Sequence, residues 1–219
     1  DLIREVSKID GLERIRISSI EITEIDDKFI NEMSNNNKLC AHLHVSLQSG
    51  SERILKIMNR KYTKEEYLDK INKLRVARPE INLTTDVIVG FPTETEEEFR
   101  ECVSFCKEVG FSKIHVFPYS KREGTKAAMM SGHISNEIKK NRARKLIEID
   151  EDLQLSYNKK FVGKKVSVLI EEIVNGKSIG HTQNFLKVIV DDILENNVCY
   201  DVLIKAAFPE YVEAIKEEN

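Results

Sequence analysis

Three apolar runs in the first half of this chain each end in a segment that carries polar side chains, glycine or proline. The run at 42–47 ends in Gln-Ser-Gly-Ser at 48–51, the run at 84–89 ends in Gly-Phe-Pro at 90–92, and the run at 114–117 ends in Pro-Tyr-Ser at 118–120. Glycine lets a bulky ligand approach the backbone, and amide, hydroxyl and main-chain groups can hydrogen-bond its polar edge. These residue types predict ligand binding where the runs end.

The elements around these segments are those of an α/β array. Residues 84–89 read as a buried parallel strand that enters a crossover helix, because an acidic stretch follows with Thr93 or Thr95 as its cap. Residues 42–47 alternate as a strand, and Ser51 caps a helix at 52–58. Ahead of them, residues 2–9 read as the end of a helix that leads into a strand at 14–19. Each segment alone is compatible with an ordinary strand–loop–helix, but parallel strands end on one face, so a shared site is expected.

In order along the chain, these motifs resemble those of the radical S-adenosylmethionine (SAM) methylthiotransferases. The resemblance rests on QSGSERILKIM at 48–58, RKYT at 60–63, TDVIVGFP at 85–92 with ETE at 94–96, and YS at 119–120 with GT at 124–125. Thr93 departs from the glycine that many members have at this position. HVFPYS at 115–120 is most similar to the branch that thiomethylates N6-threonylcarbamoyladenosine beside the tRNA anticodon.

The resemblance implies a (β/α) barrel that binds SAM and uses radical chemistry to replace hydrogen at adenine C2 with a methylthio group. Gln48 and Ser49 would hydrogen-bond the ribose or the methionine carboxylate, and Val89 and Gly90 would lie against the adenine. Asp86 would orient substrate or an arginine, or serve only as a buried acid at the barrel mouth. The residues expected to bind SAM are Glu21, Gln48, Ser49, Arg60, Asp86, Val89, Gly90, Phe117 and Tyr119.

The resemblance also implies two 4Fe-4S clusters, one in a Cys-x3-Cys-x2-Cys loop and one in a separate N-terminal domain. None of the four cysteines has that spacing, and Cys102 and Cys106 share a helix face with apolar neighbours, which favours core packing over metal binding. His42 and His44 share a strand face but lack a third ligand. We therefore expect no metal ligand and no catalytic residue here, as in an inactive fragment of a longer enzyme.

The composition favours an intracellular protein. Hydrophobic residues make up 41% of the 219 residues, enough for one or two cores, and the formal net charge is −3. No apolar stretch approaches the ~20 residues that a membrane span requires. The cysteines do not form a disulfide framework, so we expect a cytoplasmic protein without membrane contact, whose oligomeric state the sequence leaves open.

Positive charge is concentrated in a long helix predicted at 135–160, with Ser135 as its cap. Lys139, Lys140 and Arg144 are candidates for a stripe that contacts tRNA phosphates. A solvated helix face is the simpler interpretation, and charge runs of this kind favour it.

Residues 161–219 carry short alternating strands, with Asn-Gly at 175–176 as a hairpin turn, and predict a small β-barrel. The segments 171–176 and 180–185 resemble the TRAM domain, the predicted RNA-binding module that ends these enzymes. Six lysines stand against ten acidic residues, so RNA contact would need a local patch at Lys164, Lys165, Lys177 and Lys187. His181 reads as a turn residue, although a place in that patch is the alternative, and residues 210–219 read as a helix.

These patterns predict an α/β protein with a partial (β/α) radical SAM barrel at 1–134, a linker helix at 135–160 and an RNA-binding, TRAM-like β-barrel at 161–219. The implied function is part of a tRNA-modifying methylthiotransferase that acts on C2 of N6-threonylcarbamoyladenosine. Two alternatives stay open: a non-catalytic RNA-binding module, and a sibling methylthiotransferase that acts on a ribosomal-protein aspartate.

Overall fold

A computed structural model describes residues 1–216. The chain forms a three-stranded parallel sheet covered by helices and a closed five-stranded barrel, joined by one long helix. None of the helices in this part of the chain is long and apolar enough to cross a membrane. The helices are α1 (Leu2–Val6), α2 (Asp27–Asn35), α3 (Glu52–Ile57), α4 (Lys64–Ala77), α5 (Glu96–Val109), α6 (Lys126–Met129) and α7 (Asn136–Lys159). The sheet contains β1 (His42–His44), β2 (Asn82–Val89) and β3 (Lys113–Pro118), and the barrel contains β4 (Lys165–Val174), β5 (Lys177–Thr182), β6 (Lys187–Val190), β7 (Cys199–Ala207) and β8 (Val212–Lys216).

The sheet places the carboxyl ends of β1, β2 and β3 side by side, which confirms the predicted α/β arrangement. The strands are parallel in the order β1-β2-β3, and His44 pairs with Thr84 while Asp86 pairs with His115. Alternate positions such as Leu43 are fully buried in the core beneath α4 and α5. Side chains at the intervening positions, which are mostly polar, therefore lie on the opposite face of the sheet.

Residues 14–19 do not form the predicted strand. Within the segment, Ile15 makes one isolated parallel bridge, to Leu39, and Ile20, just after it, makes another, to Val45. Arg14 donates instead to the main chain of the small barrel (3.3 Å), and the Arg16 guanidinium lies over the ring of Phe185 (3.8 Å). The two arginines contact the barrel, so this segment helps to join the barrel to the sheet and does not add a strand to the sheet.

The long helix predicted at 135–160 is confirmed as α7, which Ser135 caps. Asp150 accepts a hydrogen bond from the Ile114 N–H (2.6 Å), so the helix is fixed along β3. Leu146 belongs to the core of the sheet, and Tyr157 belongs to the core of the barrel. The helix therefore contributes to both cores.

Of the two threonines considered as caps for α5, Thr95 has that role. Thr95 and Glu98 form a reciprocal capping box, in which each side chain accepts from the other residue's N–H. Thr93 lies at φ 69°, in the left-handed region, where a glycine would be unstrained.

The barrel closes in the order β4-β5-β6-β8-β7 and is consistent with a TRAM-like fold. Asn175 and Gly176, at φ 52° and 78°, form the predicted hairpin turn between β4 and β5. A Cβ at Gly180 would overlap the carbonyl oxygen of Leu169 on the paired strand, so only glycine fits there. Alternate apolar side chains fill the interior, among them Val168, Ile170, Val188, Val190, Val202 and Ile204.

Two predictions for this region are wrong. Residues 212–216, predicted as helix, form β8, which pairs with β6 and β7 and closes the barrel. Val212 and Ala214 are 0% and 2% exposed there, so strand pairing and burial override the helical preference of an acidic tail. Residues 210–211 of that prediction are not helical either, and residues 217–219 lie outside the described residues. His181 is not a turn residue, because it lies in β5 and pairs with Lys187.

The segment between β5 and β6, here called the docking loop (residues 183–186), holds the barrel on the sheet. Phe185, at φ 61°, lies against Arg16 on one side and stacks on the His181 ring on the other (4.4 Å between centroids). The Asn184 side-chain amide donates to the carbonyl oxygen of Glu80 (3.2 Å), which lies two residues before β2. The loop therefore ties the barrel to the amino-terminal side of the sheet.

Candidate functional site

The backbone at the end of β2 is held by a buried ion pair. Gly90 lies at φ 72°, and its N–H donates to the Glu94 carboxylate (2.7 Å). Arg142 of α7 donates to the same carboxylate oxygen (2.6 Å) and to the Glu94 carbonyl oxygen (3.1 Å). Burial raises the pKa of Glu94, while the Gly90 N–H and the Arg142 guanidinium oppose that rise. The carboxylate thus links α7 to the glycine of the Gly-Phe-Pro loop.

A lysine of the same helix covers Gly90. A Cβ on Gly90 would overlap the Cγ of Lys139, so the aliphatic part of that side chain packs directly on the glycine. The Lys139 ammonium donates to the carbonyl oxygen of Tyr119 (3.0 Å). The close approach that the sequence indicates at Gly90 is therefore made by this chain's own Lys139.

The end of β3 presents two aromatic side chains. The Tyr119 N–H donates to the carbonyl oxygen of Val89 (2.8 Å), and its ring contacts Phe91 edge-on (5.3 Å) and stacks on His133 (6.0 Å). Its hydroxyl is buried, and no partner for it lies within residues 1–216. Phe117 is 51% exposed. A buried hydroxyl without a partner and an exposed ring suit a ligand with one polar edge and one apolar face.

Gln48 and Ser49 follow β1 in different environments. Gln48 lies at φ 66°, its N–H donates to the Asp86 carbonyl oxygen (2.8 Å) and its carbonyl oxygen accepts from the Ile88 N–H (2.9 Å). A non-glycine residue in this region is uncommon, and such strain is concentrated at ligand sites. Ser49 is fully buried, and its hydroxyl accepts from the Ser51 N–H (3.2 Å). Gln48 is thus set at a strand end, whereas Ser49 supports the loop.

Glu21 and Arg60, far apart in sequence, come together. The Arg60 guanidinium pairs with the Glu21 carboxylate (3.0 Å), and the side chains are 29% and 62% exposed. The Arg60 Nε is buried, and the described residues offer it no partner. The guanidinium therefore keeps a buried donor, its Nε–H, for an anionic or carbonyl group.

Asp86 lies in a polar cluster that the motifs do not indicate. Its Oδ2 is 3.2 Å from His44 Nε2 and accepts from the Ser46 hydroxyl (3.3 Å), while His44 Nδ1 lies 3.0 Å from the Thr84 hydroxyl. The His115 ring lies 5.7 Å from that of His44, and burial lowers the pKa of His115. Alternation places histidines 42 and 44 on one face, but only the register between strands brings His44 to Asp86.

The cluster borders a cleft of about 590 Å³ between the sheet and the barrel. This volume is within the range of small-ligand sites. His42 is 6% exposed, its Nδ1 has no partner among residues 1–216, and burial lowers the pKa of His42 to about 4. Cationic or potentially cationic side chains on its walls are Arg16, His42, His44, Lys113, His115, His181 and Lys187.

The six residues predicted to bind RNA lie in unlike surroundings. Lys139 is engaged with Tyr119, as described above, and Lys164 pairs with Glu80 (2.9 Å). Arg142, from the same positive run of α7, is buried. Lys139 is half-buried, and the other five residues are exposed: Lys140, Arg144, Lys164, Lys165 and Lys187.

The cysteines do not suit an iron–sulfur cluster. Cys40, Cys102 and Cys106 are buried, which confirms core packing for the pair in α5, and Cys199 is exposed. Within the described residues, no group of three or more His, Cys, Asp or Glu side chains is arranged to hold a metal ion. A cluster needs several convergent thiolates, so the donors present here do not fit one.

Residues 1–106 match the model of the Radical SAM superfamily. In fold, the chain is similar to coproporphyrinogen III oxidase (HemN) from Escherichia coli, a radical SAM enzyme. The TM-score is 0.54, with 18% sequence identity over 64% of this chain and 32% of that chain. The chain belongs to the radical SAM superfamily.

Curated relatives indicate which class within the radical SAM superfamily the chain resembles. Threonylcarbamoyladenosine tRNA methylthiotransferase MtaB of Bacillus subtilis is 39% identical over 97% of this chain. The tRNA-2-methylthio-N(6)-dimethylallyladenosine synthase of Acetivibrio thermocellus is 46% identical over 79%, and that of Aquifex aeolicus is 44% identical over 83%. Within the superfamily, the chain belongs to the methylthiotransferases. It spans 49%, 36% and 41% of the lengths of these three relatives.

Proposed function

We propose that this chain is part of a tRNA methylthiotransferase that modifies C2 of N6-threonylcarbamoyladenosine. The observation that carries the choice of substrate is the extent of similarity. The match to the Bacillus subtilis protein covers 97% of the chain, including most of the small barrel, whereas the match to the Acetivibrio thermocellus synthase leaves about a fifth of the chain unmatched. The latter has the higher identity, 46% against 39%, so dimethylallyladenosine is the second candidate.

In this proposal, the three strand ends form the protein's half of a SAM site. SAM, together with a cluster held elsewhere in the longer enzyme, would supply the radical chemistry at adenine C2. The Tyr119 hydroxyl and the Arg60 Nε, both buried without a partner in the described residues, would donate to polar groups of SAM. The exposed Phe117 ring would offer an apolar surface. The bonds that fix Gln48 and Gly90 hold these groups in place before SAM binds, which lowers the cost of ordering the site.

The exposed cations of α7 and the barrel would bind the tRNA. A tRNA substrate would place the enzyme in the cytoplasm. Charge reversal of Lys140 and Arg144 is expected to weaken tRNA binding and to reduce its log–log salt slope by ~0.7 to 0.9 per lost phosphate contact. Reversal of Lys28 and Lys107, exposed on α2 and α5, changes net charge equally and serves as the control. Equal slopes for the two pairs would assign the effect to net charge alone.

The decisive experiment is expression of the complete reading frame in a host without tRNA methylthiotransferases, followed by mass spectrometry of tRNA nucleosides. The expected product is 2-methylthio-N6-threonylcarbamoyladenosine. The dimethylallyl product alone would overturn the substrate. Methylthiolated ribosomal protein would indicate the sibling enzyme, and tRNA binding without either product would leave an RNA-binding module.

A further inference from the structure

We propose that Lys139 is a positioning residue for the SAM site, acting with Arg142 from one face of α7, and that it does not bind RNA. The inference rests on the proposed function, since it assigns the strand ends to SAM. Lys139 and Lys140 thus have different roles, although the two are identical in type and adjacent in sequence.

The first contact of this face is the buried pair of Arg142 and Glu94. The two side chains are 7% and 1% exposed, and the Glu94 oxygen that binds Arg142 also accepts from the Gly90 N–H. A second Arg142 bond reaches the Glu94 carbonyl oxygen (3.1 Å). The helix therefore holds both the side chain and the main chain of the loop that follows β2.

The second contact is Lys139, which joins that loop to the end of β3. Its aliphatic part packs on Gly90, where a Cβ would overlap it, and its ammonium donates to the Tyr119 carbonyl oxygen (3.0 Å). The Tyr119 N–H is bonded in turn to Val89, the residue before Gly90. One side chain thus bridges two of the three strand ends that form the candidate site.

The ammonium of Lys139 has a definite partner inside the protein, whereas Lys140 is exposed. The Lys139 ammonium is held at a main-chain carbonyl and its carbons are packed on a glycine. The side chain is therefore poorly placed to reach and neutralise a phosphate as well. Loss of the ammonium should leave the fold intact but loosen the two loops, because the aliphatic packing remains.

The test compares Lys139→Met, Lys139→Arg and Lys140→Met in the intact, cluster-reconstituted protein. Methionine keeps the aliphatic length and removes the donor, and arginine restores a donor. The dissociation constant of SAM is measured by equilibrium dialysis, and that of tRNA by filter binding. We expect Lys139→Met to weaken SAM binding about fivefold to tenfold, the size expected for the loss of one typical intramolecular hydrogen bond. Its tRNA affinity should stay within about twofold of the wild type, while Lys139→Arg and Lys140→Met keep wild-type SAM affinity.

Hydrogen exchange of peptides that cover 86–95 and 117–121 provides a readout that does not depend on SAM. Faster exchange in both peptides for Lys139→Met alone supports the inference. Wild-type SAM affinity and wild-type exchange in Lys139→Met would overturn it, as would a loss of tRNA affinity with SAM binding unchanged. A wild-type protein that binds no SAM would refute the proposed function, and the exchange data would still decide whether Lys139 fixes the loops.

Discussion

Replacing His42 by glutamine should change how the stability of the protein depends on pH. His42 is 6% exposed in the cleft wall, near Arg16, His44 and His181, and burial lowers the pKa of His42 to about 4. The folded state therefore favours the neutral imidazole, whereas the unfolded chain binds a proton near pH ~6.5. Because the folded pKa is the lower one, His42 contributes stability above the unfolded pKa and loses it as pH falls toward about 4.

The size of the effect follows from the two pKa values. The difference corresponds to about 3 kcal/mol in full, and about 2 kcal/mol of that is lost between pH ~7.5 and pH ~5. Glutamine does not titrate, so His42→Gln should lose less stability than the wild type over this range. The other titrating groups are common to both proteins and cancel in the comparison to first order.

The assay is guanidinium unfolding at several pH values for the wild type, His42→Gln and His133→Gln. His133 is exposed, so its replacement reports what removal of a surface histidine does. The expected result is a smaller fall in the unfolding free energy for His42→Gln alone. Parallel curves for all three proteins would show that His42 takes up its proton in the folded state as readily as in the unfolded chain, and the argument from burial would fail.

Three further outcomes can be checked directly. Thr93→Gly should raise the unfolding free energy by about 1 kcal/mol, because it relieves a β-branched residue at φ 69°; a lower denaturation midpoint would show that the hydrogen bond from Arg53 to the Thr93 hydroxyl, which glycine removes, matters more. Gly180→Ala should cost more than about 3 kcal/mol, since the new Cβ would overlap the Leu169 carbonyl oxygen, whereas Gly176→Ala, at φ 78° with open space around it, should cost only about 1 kcal/mol; equal melting temperatures would refute the steric reasoning. Anaerobic reconstitution of this chain alone should give no stoichiometric iron and sulfide, because its cysteines do not converge; a full cluster per chain would contradict this.

Much of the fold could be predicted because the deciding signals are local. Thr95 and Glu98 form a capping box that is visible as residue types three apart, and Asn175-Gly176 fixes a hairpin regardless of its surroundings. The parallel strands follow from apolar runs that alternate with helices. The same reasoning fails at β8, where a locally helical tail becomes a strand because β6 and β7 offer it partners.

The candidate site was less predictable, because its contacts join distant segments. In the run 139–145 all cations look alike, yet Arg142 is buried against Glu94, Lys139 reaches Tyr119 and Lys140 is exposed. Which of these side chains faces the sheet depends on how α7 packs along β3. The amino-acid composition of the helix does not determine that packing. The pairing of His44 with Asp86 depends likewise on the register between β1 and β2.

The docking loop has a consequence for how this chain can change over generations. Phe185 and Asn184 belong to the docking loop of the barrel, but their partners Arg16 and Glu80 belong to the domain that contains the sheet, at least 104 residues away along the chain. A recombination event that exchanged only the barrel would separate residues that depend on each other, even though the exchange point after α7 looks like a natural boundary. We therefore expect the two halves to be inherited together, with substitutions at 185 accompanied by substitutions at 16. A transplanted barrel would keep its ring contact with the sheet domain only if position 16 carried a residue that pairs with position 185.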